Sequence, residues 1–296
     1  MTAASSPSTK ANMKKVTSSD APTQYVEASG IRYAYRRFGN RTGGTPLLCL
    51  QHFTGTLDNW DPAIVDPLSE DREIILFENA GVGRSSGTVP ATIAEMAAHV
   101  LRFCEAISLN RCHALGYSLG GFLAQELAIT RPALLERIIL SGSAPQGGEG
   151  AGMDRPELTA IYTDTTMPMS DKLKRLFFPE SPAGQAAAQA FVNRLAERSG
   201  EPDLPASLEA ASAQLGAMIA WANWDGDVAG KLTRIPHPVL VTNGDNDTMI
   251  PTRNSFLLAE GLPNAALIIY PNAGHGALFQ YARTYVTHVR EFLNGA

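Results

Sequence analysis

The segment Gly116-Tyr117-Ser118-Leu119-Gly120-Gly121 sets a serine among small residues. A strand-like run, residues 111–115, leads into it, and a helical pattern, residues 119–128, leaves it. In that context G-x-S-x-G describes a serine on a sharp strand-to-helix turn, with a strained backbone and an exposed hydroxyl. The glycines are needed because side chains there would strike the neighbouring strand and helix. The start of the helix would offer free N–H groups, and the positive end of its dipole, to developing negative charge. Without those flanks the same letters would describe only a small-residue turn.

A serine hydroxyl is a weak nucleophile near neutral pH and needs a base held in one tautomer. On such a turn the serine is followed in the chain first by an acid and then by a histidine. The strand-like run 239–244 leads into Asp245-Asn246-Asp247-Thr248-Met249-Ile250-Pro251. Asp247 therefore falls in a loop at the carboxyl end of a strand, where parallel sheets put functional side chains. Residues 268–273 repeat the pattern ahead of Gly274-His275. Ser118 is the expected nucleophile, His275 the base and Asp247 the acid that orients it, with Asp245 as the competing acid. Singly, His275 reads as an exposed loop histidine, and Asp247 as a turn cap or a helix N-terminal residue before Pro251. Their joint placement after consecutive strands favours the triad. His99 lies in a helix pattern, His113 in a strand, His237 in a linker and His288 in the last helix, so these are expected to be structural or solvated.

Eight segments read as strands: 25–27, 31–38, 46–51, 73–77, 111–117, 135–140, 238–242 and 266–270. The first two flank Ser29-Gly30 as a hairpin. Helical patterns occupy 91–109, with Thr92 as N-cap, then 119–128 and 281–293. This alternation implies right-handed βαβ units and a parallel sheet covered on both faces. Residues 144–229 break it, with helical patterns at 169–178, 183–198 and 207–224 and no strand signal. A structureless loop of that length is implausible in a compact domain, so the stretch reads as an inserted helical cap. The expected organisation is a tail over 1–22, a core over 23–143 and 230–296, and a cap over 144–229.

The 296 residues suit one large α/β domain or two small ones, and 44% apolar content is enough for a substantial core. With 24 basic and 29 acidic residues and no basic patch, nucleic acid is an unexpected partner. Cys49, Cys104 and Cys112 are odd in number and sit in apolar or periodic runs. Buried free thiols in a cytoplasmic protein explain them better than a disulfide framework, although one bridge is left open. The N-terminal residues are rich in Ser, Thr, Ala and Lys and lack the apolar stretch of a secretory signal, so a mobile tail is expected, with Met13 as an alternative start. No run of about 18 apolar residues suggests a membrane span. Asn40-Arg41-Thr42 and Asn246-Asp247-Thr248 match a glycosylation acceptor, by chance if the chain is cytoplasmic. No zinc motif or phosphate loop occurs, so neither metal nor cofactor is expected. Gly81 and Gly83 have their third glycine at Gly87, one position late for a dinucleotide loop. Asp225-Gly226-Asp227 and Asp245-Asn246-Asp247 lack the rest of a calcium loop.

On these motifs the chain resembles the α/β-hydrolase fold superfamily, in its serine esterase and lactonase branch, from about Tyr25 to the end. Gly244, Asp247 and Pro251 match the family's G-x-x-D-x-x-x-P, Gly274-His275 its Gly-His pair, and Gly81-Val82-Gly83-Arg84-Ser85 its G-x-G-x-S turn. The resemblance implies a mostly parallel eight-stranded sheet flanked by helices, with an inserted helical cap. The family's oxyanion loop commonly reads His-Gly-aromatic. Here Gln51-His52 stands in place of His-Gly, and Phe53 keeps the aromatic position. The resemblance implies the N–H groups of Phe53 and Leu119 as oxyanion donors, while His52 either packs beneath the loop or brings an imidazole to the pocket. Tyr117, His52, Trp221 and Trp224 are expected to bind substrate, the two tryptophans sharing one helical face. Met153, Tyr162, Met167, Met169, Phe177, Phe178 and Met218 are expected mainly to pack the cap.

The implied activity is hydrolysis of a small-molecule ester or lactone through an acyl-enzyme, by a monomer or homodimer. A serine at the elbow argues against the dehalogenase and epoxide-hydrolase branches, which use aspartate there. The lack of His-Gly-Gly-Pro disfavours the iminopeptidase branch. Carbon–carbon hydrolase, thioesterase and cofactor-free haloperoxidase activities on the same triad stay open, as does a ligand receptor with little turnover.

Overall fold

Short, unbroken apolar runs need cover on both faces, and this requirement shapes the centre of the molecule. The computed structural model describes residues 16–152 and 155–295. Its strands are β1 (Gln24–Ala28), β2 (Ile31–Gly39), β3 (Gly44–Leu50), β4 (Arg72–Phe77), β5 (Cys112–Tyr117), β6 (Leu135–Ser141), β7 (Val239–Gly244) and β8 (Ala265–Tyr270). They form one sheet in the order β1-β2-β4-β3-β5-β6-β7-β8. β2 pairs antiparallel with β1 and β4, and every other neighbouring pair is parallel. The mostly parallel eight-stranded sheet is thus as expected. β4, β5 and β7 are buried along their whole length.

The helices are α1 (Pro62–Leu68), α2 (Ile93–Ala106), α3 (Leu119–Thr130), α4 (Pro156–Thr163), α5 (Met169–Phe177), α6 (Pro182–Leu195), α7 (Leu208–Ala222), α8 (Val228–Leu232), α9 (Arg253–Gly261), α10 (Ala277–Gln280) and α11 (Ala282–Asn294). Thr92 caps α2 by accepting the N–H of Glu95, so the helix starts later than its apolar pattern does. α1 is the helix that periodicity hides. It is short and carries Pro62 at its first turn, where the missing N–H is harmless, and Pro67 near its end. Helices α4 to α8 all lie between β6 and β7 in the chain. Two of them, α4 and α8, are too short for their pattern to stand out.

The chain winds outward from β3 in both directions, to β4 on one side and β5 on the other. The loops after β3 and β5 therefore diverge at their carboxyl ends and open a crevice at this switch point. Residues 17–22 had been assigned to the tail, yet part of that stretch is packed. Ala21 is fully buried, Ser18 N–H donates to Asp66 Oδ1 at 2.7 Å, and Arg198 Nη1 takes the carbonyls of Ser18, Ser19 and Ala21. The correction reflects a long-range partner that local composition does not reveal. Residues 1–15, with Met13, and also Met153, lie outside the described residues.

Cys49, Cys104 and Cys112 are buried and unbridged. Burial pushes the Cys104 thiol up to about 12 and raises the other two as well, which makes all three poor nucleophiles. Among the described residues no helix is long and apolar enough to cross a membrane, and no cluster of three His, Cys, Asp or Glu side chains is placed to hold a metal.

One ion pair fastens the inserted helices to the sheet layer. Arg194 of α6 donates to both carboxylate oxygens of Asp61, at 2.8 and 2.6 Å, and Asp61 is fully buried. The same carboxylate caps α1 through the N–H of Ala63. A buried carboxylate that serves a helix end and an arginine fork is costly to remove. We expect Asp61→Ala to lose about 2–3 kcal/mol in a urea titration. A loss below about 0.5 kcal/mol, the range of ordinary surface substitutions, would show that the pair is not an anchor.

Candidate active site

β5 carries the chain into Ser118, whose backbone takes φ 56° and ψ −119°. A side chain rarely tolerates this region, and the strain is about 1–3 kcal/mol. The geometry follows from how closely α3 approaches the sheet. A Cβ on Gly120 would lie 1.9 Å from the Leu50 carbonyl oxygen, and one on Gly116 would lie 2.5 Å from that of Gly120. The strained residue is held on both sides. Its N–H donates to Ser141 O at 2.9 Å, and its carbonyl accepts from Gly121 N–H at 2.8 Å and from Ser143 Oγ at 3.1 Å. Ser118 is fully buried, and its Oγ has no hydrogen-bond partner among the described residues.

The loops after β7 and β8 bring Asp247 and His275 together. His275 Nδ1–H donates to Asp247 Oδ2 at 2.7 Å, with both side chains fully buried. The other carboxylate oxygen accepts the N–H groups of Met249 and Ile250 at 2.8 and 3.0 Å. These bonds fix the carboxylate and leave Nε2 as the unprotonated nitrogen, which has no partner among the described residues. The imidazole rests on the Tyr117 ring, 5.0 Å between centroids, and against Phe177 at 5.5 Å. His275 and Ser118 border the same cavity, and Nε2 and Oγ form no hydrogen bond with each other. Asp245, the competing acid, is exposed and instead accepts the N–H of Ala273 at 3.1 Å.

The loop after β3 has most of its amides engaged. His52 N–H goes to Gln51 Oε1 at 2.9 Å, Thr54 N–H to Gln214 Oε1 at 2.7 Å, and Gly55 N–H to His52 O at 3.0 Å. The N–H of Phe53 is committed to no acceptor among the described residues. Leu119 N–H is the first amide of α3, where helix geometry supplies no partner. His52 Nδ1–H donates to Phe53 O at 2.7 Å, so its Nε2 carries the lone pair. Burial, and to a lesser degree His275 nearby, hold the His52 imidazole down to about 4.

A cavity of about 320 Å³ joins these groups. His52, Phe53, Ser118 and His275 border it. Tyr162, Leu173, Leu176 and Phe177 of the inserted helices form apolar wall, and exposed Met169 and Leu208 mark its mouth. Three sequence expectations need correction. Tyr117 does not reach the cavity: it lies beneath His275 and donates its hydroxyl to that residue's carbonyl at 3.3 Å. Trp221 stacks on Phe122 of α3, 5.1 Å apart and nearly parallel, with Lys231 over its other side. Trp224 packs against Gly147 and Gly226. Both tryptophans serve to seat α7 and the segment after it on the core. Of the other histidines, His99 bonds to Tyr33, His237 to Pro132 O and His288 to Tyr270, while buried His113 lies 3.9 Å from Glu136.

Two buried groups that the sequence reading missed support the rim. Arg36 is nearly fully buried and reaches Asp58 and Asp203, each at 2.6 Å. Those two carboxylates also take each other's backbone N–H, which ties the 199–207 segment to the loop after β3. Glu78, just past β4, accepts the N–H groups of Leu57 and Arg84. The G-x-G-x-S turn wraps this carboxyl: a Cβ on Gly83 would lie 2.5 Å from it. That inward role explains the glycines without a phosphate. Burial, reinforced by Asp203, raises the Glu78 carboxyl to about 8, against the opposing pull of its two N–H bonds.

Comparisons with known proteins place these landmarks in context. A family model described as alpha/beta hydrolase fold matches residues 45–281. The chain is 28% identical over 255 residues to the "Putative carbamate hydrolase RutD" of Pseudomonas savastanoi pv. phaseolicola, covering 84% of this chain and 94% of the relative. A solved alpha/beta hydrolase fold protein from Chitinophaga pinensis is 40% identical with a TM-score of 0.89, over 95% of this chain and all of the other. The enol-lactonase from Burkholderia xenovorans LB400 superposes with a TM-score of 0.72 over 92% of this chain and all of the other, and at 20% identity it speaks to the fold alone.

Two stability experiments follow from this geometry. Glycine meets no penalty at φ 56°, so Ser118→Gly should be about 1 kcal/mol more stable than Ser118→Ala, after its greater unfolded-state entropy is allowed for. An alanine variant of equal or higher stability would remove the strain. For Glu78 the folded carboxyl binds its proton more tightly than the unfolded one does. Its contribution is therefore complete below pH 4.5 and fades as pH rises through about 8. Urea titrations across that window should show wild type losing stability relative to Glu78→Gln, and parallel profiles would contradict this.

Proposed function

The chain belongs to the alpha/beta hydrolase fold family, and on that footing we propose that it is a serine hydrolase that cleaves a carboxylic ester or lactone through an acyl-enzyme. The observation that carries this reading is one juxtaposition. An imidazole locked by a buried carboxylate at 2.7 Å keeps one nitrogen unpartnered, and it borders the cavity together with a serine that is strained and unpartnered. His113, by contrast, approaches a carboxylate only at 3.9 Å, that of Glu136, and does not border this cavity.

The chemistry follows from the tautomer. His275 Nε2 takes the Ser118 proton as Oγ attacks the carbonyl carbon. The oxyanion is received by the N–H groups of Phe53 and Leu119, and losing one such donor costs about 10²–10³ in rate. His275 then protonates the leaving oxygen and later draws a proton from the water that frees the acid. Asp247 stays ionised throughout, and its two backbone N–H bonds keep it from rotating away. The helices between β6 and β7 act as the cap of this site, over residues 144–229, and their apolar wall receives the acyl or alcohol portion.

A second reading is a carbamate as substrate. Its support is that curated relatives named "Putative carbamate hydrolase RutD" match at 25–28% identity across most of both chains. A carbamate presents the same carbonyl and alkoxide, so the proposed residues keep their roles.

The test combines labelling with turnover. A fluorophosphonate should label wild type but not Ser118→Ala, and a panel of chromogenic esters, lactones, thioesters and carbamates should be turned over by wild type alone. Asp247→Asn should keep its fold and lose about 10⁴-fold in kcat. Ester hydrolysis unchanged in Ser118→Ala would refute the assignment. A labelling burst with no continuing turnover would point instead to a receptor.

A further inference from the structure

His52 stands where a side chain is unusual for the family this chain resembles, and its polar atom is unexplained. The residue is 6% exposed and borders the cavity with Ser118 and His275. Its Nδ1–H is fixed on Phe53 O, so Nε2 is a bare acceptor, buried and without a partner among the described residues. Leaving a buried acceptor unmet is destabilising, and such groups call for an explanation. No donor among the described residues reaches it. The ring stands edge-on to Tyr117 at 5.4 Å and to Phe177 at 5.2 Å, and the Tyr117 hydroxyl is already given to His275 O. The same two rings touch His275, so the two imidazoles share neighbours at the Ser118 end of the cavity.

We propose that His52 is a specificity-determining acceptor, whose Nε2 receives an N–H attached to the scissile carbonyl carbon and so selects N–H carbamates over all-carbon esters. The inference rests on the serine-hydrolase reading and, within it, favours the carbamate over the ester or lactone. The match is between adjacent groups of opposite hydrogen-bonding sense. His52 directly precedes Phe53, whose free N–H faces the carbonyl oxygen in that reading. A donor for C=O beside an acceptor for N–H is the complement of a –NH–C(=O)– unit. An ester with carbon in place of nitrogen leaves Nε2 unmet, and a site built to pair a polar group discriminates strongly against the analogue that lacks it. The His52 imidazole is neutral near pH 7, so the acceptor is present under working conditions.

The experiment compares phenyl N-methylcarbamate with phenyl propionate, which differ by NH against CH₂, on wild type and His52→Phe. The variant should lose at least about 10-fold more kcat/KM on the carbamate than on the propionate. Equal losses on both would assign His52 a packing role and overturn the proposal. A second measurement avoids dependence on the variant's folding. Methyl N-methylcarbamate should inhibit wild-type propionate hydrolysis about 10-fold more tightly than methyl N,N-dimethylcarbamate, and equal inhibition would likewise overturn it. Wild type inert towards both phenyl substrates would defeat the hydrolase reading itself, an outcome distinct from turnover without preference.

Discussion

At the end of β5 the chain must reverse into a helix within a single residue, because α3 docks directly on the ends of β3 and β5. Contacts of about 2 Å between imagined Cβ atoms at Gly116 and Gly120 and neighbouring carbonyls measure how little room there is. Ser118 absorbs the bend at φ 56°. The same tightness gives the turn its chemical character. It brings the first free amide of α3 beside the serine, and it seats that residue against Ser141 and Ser143 so that the strain cannot relax. A looser turn would free the backbone and misplace the amide.

The second constraint is electrostatic isolation. A fully buried imidazole–carboxylate pair is stable only when the remaining polar atoms are satisfied. Asp247 meets this through Met249 and Ile250, while Tyr117 and Phe177 enclose the ring and leave a single nitrogen unmet. The loop after β3 follows the same economy. Its glutamine and an inserted-helix glutamine, Gln51 and Gln214, engage the amides on either side of Phe53 and leave that one free. Among the described residues, the unpaired groups at this end of the cavity include the Ser118 hydroxyl, one nitrogen each of His52 and His275, and the amides of Phe53 and Leu119.

How much of this could be read from the chain depends on the range of the interaction. The elbow, the two loops that carry Asp247 and His275, and the sheet's eight strands are local patterns, and they were legible. The choice between Asp245 and Asp247 was settled by burial: one points to solvent and caps the β8 loop, the other turns inward. The tryptophans misled because a pair three apart on a helix looks the same whether it faces a ligand or a neighbouring helix. Arg36 and the anchored residues 18–21 were invisible because they have partners far along the chain, and Glu78 because no local pattern shows its carboxyl turning inward to the N–H groups of Leu57 and Arg84.

The division of labour between sheet loops and inserted helices has a consequence for specificity. The groups proposed for the chemistry, Ser118, His275, Asp247, Phe53 and Leu119, all follow strand ends of the sheet. Much of the apolar wall comes from α4, α5 and α7, through Tyr162, Leu173, Leu176, Phe177 and Ala211. The two layers are joined by ion pairs that run in opposite senses: Arg36 of the sheet reaches Asp203 of the insertion, and Arg194 of the insertion reaches Asp61 of the sheet layer. Asp203 and Asp61 each have an arginine partner across the seam, so separating the layers would strand both carboxylates in a low-dielectric interior. Leu173, Leu176 and Ala211 on that wall are apolar and carry no charge to strand. Changes of size there leave the backbone hydrogen bonds around Ser118 in place, which is why one elbow and one pair of strand-end loops can serve different substrates on the same fold.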